Sequence, residues 1–204
     1  MGYSLPDTDL LHQRLKAHQP SSVDRNGRRQ AGVLVPVVYR QGNYEVVFIR
    51  RSAHLRRHAG QIAFPGGVHE PEDADLLATA LREGHEEVGL EPKSVTVLGQ
   101  LDEVWTPTGY TLTPYVGLLD STPDRPDRDE VEEILVVGVE RLIQPGVFRF
   151  QEIQRDGISY RLVFFDLAEC TIWGATGRVL QRFLEVGLGW SAPTDNEWES
   201  GPYA

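Results

Sequence analysis

Cysteine is almost missing from this chain of 204 residues: Cys170 stands alone, so no intrachain disulfide can form and a CxxC metal or redox site is excluded. A basic excess is missing as well. With 20 Lys+Arg against 30 Asp+Glu the formal charge is −10, and binders of the nucleic-acid backbone normally concentrate positive charge on one face. No nucleic-acid partner is expected. Long apolar runs are also lacking, because Asp7, Asp9, His12, Arg14 and Lys16 interrupt the leucines of the first twenty residues. That leaves no stretch suited to a signal peptide or a membrane span, and the final GPYA is no retention or peroxisomal address. The expectation is a cytoplasmic protein with no membrane partner. Repeats of fixed period and long low-complexity tracts are absent too.

What is present is enough for a core. Apolar residues make up 40% of the chain, and counting glycine in place of tyrosine brings this to about 47%, inside the globular range of roughly 45–50%. The length suggests one domain over residues 1–204. Asp7 or Thr8 can cap a first helix with Leu10, Leu11 and Leu15 on its apolar side, ended by Pro20. Residues 32–39 and 44–49, joined by a short turn, read as a hairpin or as neighbouring strands, with Pro36 as an irregularity in the first. Residues 75–90 follow helical spacing; 95–101, 111–119, 133–139, 147–153 and 160–167 read as strands, and 176–186 as a last helix. Strands outnumber helices without strict βαβ alternation, so the class is α+β or a mixed sheet with helices packed on its faces.

The chemistry concentrates in the helix over 75–90. Glu83, Glu86 and Glu87 stand at i, i+3 and i+4, which puts three carboxylates within a sector of roughly 100°. Leu77, Ala80, Leu81, Gly84 and Val88 form a separate apolar stripe. Like charges at i and i+4 cost roughly 0.2–0.5 kcal/mol per pair in an isolated helix, so the cluster calls for a cation, Arg82 or a divalent metal. Oxygen ligands without cysteine select Mg²⁺ or Mn²⁺. The same three acids can also simply solvate a helix face. Gly84 inside the helix suggests close packing there, and Gly89 is a plausible helix-ending residue.

Residues 67–90, GVHEPEDADLLATALREGHEEVGL, resemble the Nudix box, GX5EX7REUXEEXGU with U aliphatic. Gly84 takes the place of an aliphatic U, and the spacing from Gly67 to Arg82 is one residue longer than the pattern. Eight residues before Arg82 stands Ala74, so Asp73 or Asp75 is the substitute for the first acid. This expansion is similar to the coenzyme A pyrophosphatase branch. A second signature of that branch, LLTXRSX3RX3GX3FPGG, resembles residues 47–67, with Arg51, Ser52, Arg56, Gly60 and Phe64-Pro65-Gly66-Gly67 at matching spacings.

The resemblance implies a Nudix fold, a mixed β-sheet sandwiched between helices, and a site binding Mg²⁺ or Mn²⁺ through Glu83, Glu87 and Glu86. Gly67 would lend a backbone carbonyl. Arg82, counted with Glu86 and Glu130 in the catalytic set, would hold a box glutamate in place rather than touch substrate. Arg51 and Arg56, with Gly66 and Gly67, are the expected substrate-binding residues. Arg50 and Arg51 close a strand and so point to opposite faces, which leaves Arg51 for the site. The reaction implied is hydrolysis of the diphosphate of coenzyme A to 3′,5′-ADP and 4′-phosphopantetheine, with Glu86 or an acid of residues 127–133 such as Glu130 as base. Other nucleoside diphosphate derivatives (ADP-ribose, a dinucleotide, a nucleoside triphosphate) fit the box equally, and a non-catalytic metabolite sensor is the rival class. Arg25, Arg28 and Arg29 form a second basic cluster. Trp105 and Tyr110 are candidates for stacking on adenine or for ordinary packing. Oligomeric state is left open.

Overall fold

The computed structural model describes residues 5–24, 27–55, 57–155 and 158–193; Arg25 and Arg56 lie outside them. Asp7 accepts a hydrogen bond from the Leu10 amide at 2.8 Å and opens α1 (Thr8–Ala17), satisfying a donor that the first helical turn leaves free. Leu11 and Leu15 are buried, whereas Leu10 is 41% exposed, contrary to its expected place on the apolar side. One residue is about 100° on a helix, enough to turn Leu10 out of the stripe that Leu11 and Leu15 share.

The chain continues through β1 (Arg29–Arg40), β2 (Asn43–Arg51), β3 (Ile62–Ala63), β4 (Gly66–Val68) and α2 (Leu76–Val88). After a 3-10 turn at Pro92–Ser94 come β5 (Thr96–Gln100), β6 (Val104–Trp105), β7 (Tyr110–Leu119), β8 (Val131–Gly138) and the short α3 (Val139–Leu142). A hairpin of β9 (Phe148–Arg155) and β10 (Ile158–Asp166) precedes β11 (Thr171–Trp173), α4 (Gly174–Arg182) and a π-helical turn at Phe183–Leu188. The short strands β3, β4, β6 and β11 have too few residues to show a period of two in sequence.

β1 is the organising strand. It runs parallel to β7 from Arg29 to Val38, while its other edge is divided between β4, at Ala31 to Val33, and β2, at Val37 to Arg40. Pro36 falls in the gap between those two partners. The Leu34 amide turns to that edge and donates to Pro65 O at 2.9 Å, so two residues on the missing N–H of Pro36 costs no ladder bond. β8 and β3 pair with β2, and β5 and β6 pair with β7, all antiparallel. Among the described residues one parallel pair stands with antiparallel ones, which makes the sheet mixed; β9, β10 and β11 form a second, antiparallel sheet.

Alternation along the strands loads both faces of the main sheet. Val33, Val35, Val37, Val46 and Phe48 face a core shared with α1, α4 and the second sheet. Leu34, Val38, Val47 and Ile49 face Ala80 and Val88 of α2. Asp102 locks the first of these layers, accepting from Ser21 N and Oγ at 2.8 and 2.6 Å and from the Arg182 fork at 2.8 and 2.6 Å. Among the described residues no helix is long and apolar enough to cross a membrane. Cys170 is half-buried between β10 and β11.

Candidate active site

α2 is bounded as capping chemistry demands. Asp75 accepts from Ala78 N at 2.8 Å at its start, and Gly89, at φ 73°, ends it in the left-handed region where a Cβ is penalised. The helix lies against the sheet closely enough that a Cβ on Gly84 would stand 3.1 Å from Leu34 Cδ2, which accounts for glycine at that point.

The three glutamates do not share one environment, contrary to the picture of a uniform acidic face. Glu86 is exposed, Glu83 is largely covered, and Glu87 is buried, its side chain 4% exposed. Glu87 Oε2 accepts from Gly66 N at 3.0 Å, and Oε1 lies 3.6 Å from Arg51 Nη1. Burial pushes the Glu87 carboxyl up to about 8; the Gly66 amide and Arg51 work against that rise, while Glu83 and Glu130 add to it. Glu83 is also raised, chiefly by burial, with Arg82 opposing and Glu86 and Glu130 contributing. Its carboxylate lies directly on the backbone of β4: a Cβ on Gly67 would fall 2.1 Å from Glu83 Oε1.

Arg82 is wholly engaged by the chain. Nε and Nη2 form a fork on Asp73 at 2.9 and 3.1 Å, Nη2 also donates to Val68 O at 3.2 Å, and Nη1 bridges Glu83 at 3.0 Å and Glu86 at 2.9 Å. Those bonds use all five donors of a guanidinium. No N–H is left for a substrate, so the contacts of Arg82 are those of a positioning residue. The fork also separates the two candidate acids: Asp73 meets Arg82, and Asp75 caps the helix. Arg82 holds the Asp73 carboxyl well below the usual range, with the Glu70 amide and Thr79 hydroxyl assisting.

The other wall comes from the end of β2. Arg50 turns to Glu133 at 3.1 Å, and Arg51 turns to Glu87, the opposite-face arrangement that strand geometry requires. Among the described residues the buried Arg51 Nε has no hydrogen-bond partner. Glu130 is carried to the same place by backbone ties: Asp127 N donates to Glu87 O at 2.9 Å, Glu130 N to Asp127 O at 3.2 Å, and Ser52 N to Glu130 O at 2.8 Å. The segment after β7 is thus sewn to both α2 and the residue following Arg51, and Glu130 acts electrostatically on Glu83 and Glu87. Trp105 stands apart on an edge strand, 37% exposed, edge-on to Tyr160 and under Arg28 at 5.6 Å.

The donor set fits a hard divalent cation. Its ligands are carboxylate oxygens, and a cation beside Glu87 would relieve the cost that burial places on its charge. Among the described residues no three His, Cys, Asp or Glu side chains already form a metal cluster, because arginines stand between the acids: Arg82 between Glu83 and Glu86, Arg51 beside Glu87. Sequence reasoning missed Thr79, which donates to Asp73, and the Gly66 amide on Glu87. Neither leaves a periodic signal.

A NUDIX domain model matches residues 28–157. The chain is 38% identical over 163 residues to a Salmonella paratyphi B protein named "Uncharacterized Nudix hydrolase NudL", over 79% of this chain and 84% of the relative. A protein of the same name from Salmonella newport matches to the same extent. The crystal structure of a MutT/nudix family protein from Enterococcus faecalis is similar in fold, with TM-score 0.52 at 15% identity, over 88% of this chain and 68% of that one. Matched along most of its length, and with the acids of the box gathered around Arg82, the chain belongs to the Nudix hydrolase family.

Proposed function

We propose that this chain hydrolyses the diphosphate of coenzyme A, or of its thioesters, to 3′,5′-ADP and 4′-phosphopantetheine. One observation carries the reading: Arg51, the arginine of the second sequence signature, stands beside the buried Glu87 with its Nε unpaired among the described residues. An acidic protein needs such a cation where a polyanion is to bind, and a guanidinium fork suits phosphate oxygens. Arg56 joins it on the strength of the sequence alone.

Glu83, Glu87 and Glu86 are the residues that would hold Mg²⁺ or Mn²⁺. When bound, the ions neutralise charge on the diphosphate and make water a better nucleophile. Arg82 keeps Glu83 and Glu86 in register. Glu130 is the proton acceptor this reading favours, since Glu86 is tied to Arg82 while Glu130 is close enough to act electrostatically on Glu83 and Glu87. Gly66 gives its amide to Glu87, and Gly67 lets the Glu83 carboxylate lie against the backbone of β4.

The test is a substrate panel with product identification: coenzyme A, its thioesters, ADP-ribose, NADH, dinucleoside polyphosphates and nucleoside triphosphates, each with Mg²⁺ and Mn²⁺. Release of 3′,5′-ADP from coenzyme A at the highest kcat/KM is expected. Preference for ADP-ribose or a nucleoside triphosphate would move the chain to another Nudix specificity, and binding without turnover would make it a sensor.

A further inference from the structure

We propose that Thr79 is a positioning residue for the acid cluster: its hydroxyl orients Asp73, Asp73 orients Arg82, and Arg82 sets Glu83 and Glu86. The inference rests on the reading that these glutamates, with Glu87, hold the divalent ions.

Thr79 is fully buried on α2. A threonine inside a helix ordinarily turns its hydroxyl back to the carbonyl four residues earlier, and Asp75 O does lie at 3.2 Å. The shorter contact runs elsewhere, to Asp73 Oδ2 at 2.8 Å. A hydroxyl has one proton, and an ionised carboxylate is the stronger acceptor, so the proton belongs to Asp73. The oxygen's lone pairs then face His69 Nδ1 at 3.0 Å, and the His69 amide is pinned to Gln30 O at 2.9 Å. The series of bonds starts on the central strand and ends at the acids.

Asp73 has little freedom to fail gracefully. Its side chain is 5% exposed, and Oδ2 accepts from Thr79, from Arg82 Nη2 at 3.1 Å and from Glu70 N at 3.1 Å, while Oδ1 takes Arg82 Nε at 2.9 Å. Two of these bonds form the planar fork that fixes the guanidinium. Nη1, the nitrogen between Glu83 and Glu86, stands where that fork puts it. Without the hydroxyl the carboxylate keeps the Arg82 fork and the Glu70 amide but loses the bond that fixes the tilt of its plane, and that tilt passes through the rigid guanidinium to the two glutamates. Groups that hold metal ligands through hydrogen bonds typically govern about 10–100-fold of metal affinity.

The experiment measures Mn²⁺ binding by the loss of free-ion EPR signal, with kcat, KM and thermal melts alongside, in Thr79→Val, Thr79→Ser and Glu83→Gln. Valine preserves shape and removes the hydroxyl, so Thr79→Val should weaken Mn²⁺ binding about ten-fold and lower kcat more than it raises KM. Thr79→Ser should restore both. Wild-type Mn²⁺ affinity in Thr79→Val, with Glu83→Gln impaired, overturns the role of Thr79 and leaves the acid-cluster reading intact. Wild-type affinity in Glu83→Gln overturns that reading itself. If Thr79→Val loses its cooperative melt, Thr79→Ala and Thr79→Ser decide: weakening in alanine with recovery in serine supports the role, and equal Mn²⁺ binding in the two overturns it.

Discussion

The amide of Gly66 and the carboxylate of Glu87 meet at 3.0 Å across the floor of the site, joining the glycine loop to the helix through a buried acid. Such a carboxylate is costly to ionise.

Its titration gives the first prediction. Glu87 moves from an ordinary value of 4.5 up to about 8, so between those pH values the folded chain keeps a proton that the unfolded chain has released. Stability of the ion-free protein therefore falls as pH rises through that window, by at most about 1.4 kcal/mol per unit from this group. Urea unfolding in EDTA at pH 5 and pH 8 should show the fall, and Glu87→Gln should flatten it. A slope unchanged by that substitution would show that Glu87 is not the group responsible.

The second concerns the division of labour among the acids. Glu83→Gln and Glu87→Gln should abolish metal-dependent turnover with the melting curve largely kept. Glu130→Gln should lower kcat about 10²–10⁴-fold while Mn²⁺ still binds normally. Loss of Mn²⁺ binding in Glu130→Gln would make it a ligand instead of the base.

The third separates substrates. Arg51→Ala should reduce kcat/KM for coenzyme A more than for ADP-ribose, and Arg56→Ala should do the same. Equal losses on both substrates remove the case for substrate-specific arginines.

The fourth uses the contact between Gly67 and Glu83. A methyl group there would lie 2.1 Å from Glu83 Oε1, the movable end of a side chain, so Gly67→Ala should shift the carboxylate at little cost to the fold. Mn²⁺ affinity should drop about ten-fold with the melt nearly unchanged. Full Mn²⁺ affinity would place the ions away from Glu83.

Much of this arrangement is visible in the sequence, for reasons particular residues make plain. The helix over residues 75–90 is α2 within its caps, since Asp75 and Gly89 act locally. The opposite facing of Arg50 and Arg51 needs only strand geometry. The last helix begins two residues earlier than expected, at Gly174, and passes into a π-helical turn, a change of hydrogen bonding that side-chain spacing does not encode. Leu10 leaves the expected stripe because three leucines close in sequence need not share one helical face. The graded burial of Glu83, Glu86 and Glu87 depends on β4 and the 127–130 segment, tertiary neighbours that no helical wheel contains.

β4 is hydrogen-bonded to β1, and β1 in turn to β7 along its length. The glycine loop consequently has no hinge of its own: to swing out it would have to unzip from the strand at the middle of the sheet. Amide exchange at Gly67 and His69, whose N–H groups face β1, should be slow, and any opening of the site falls to the opposite wall, where Ser52 meets Glu130.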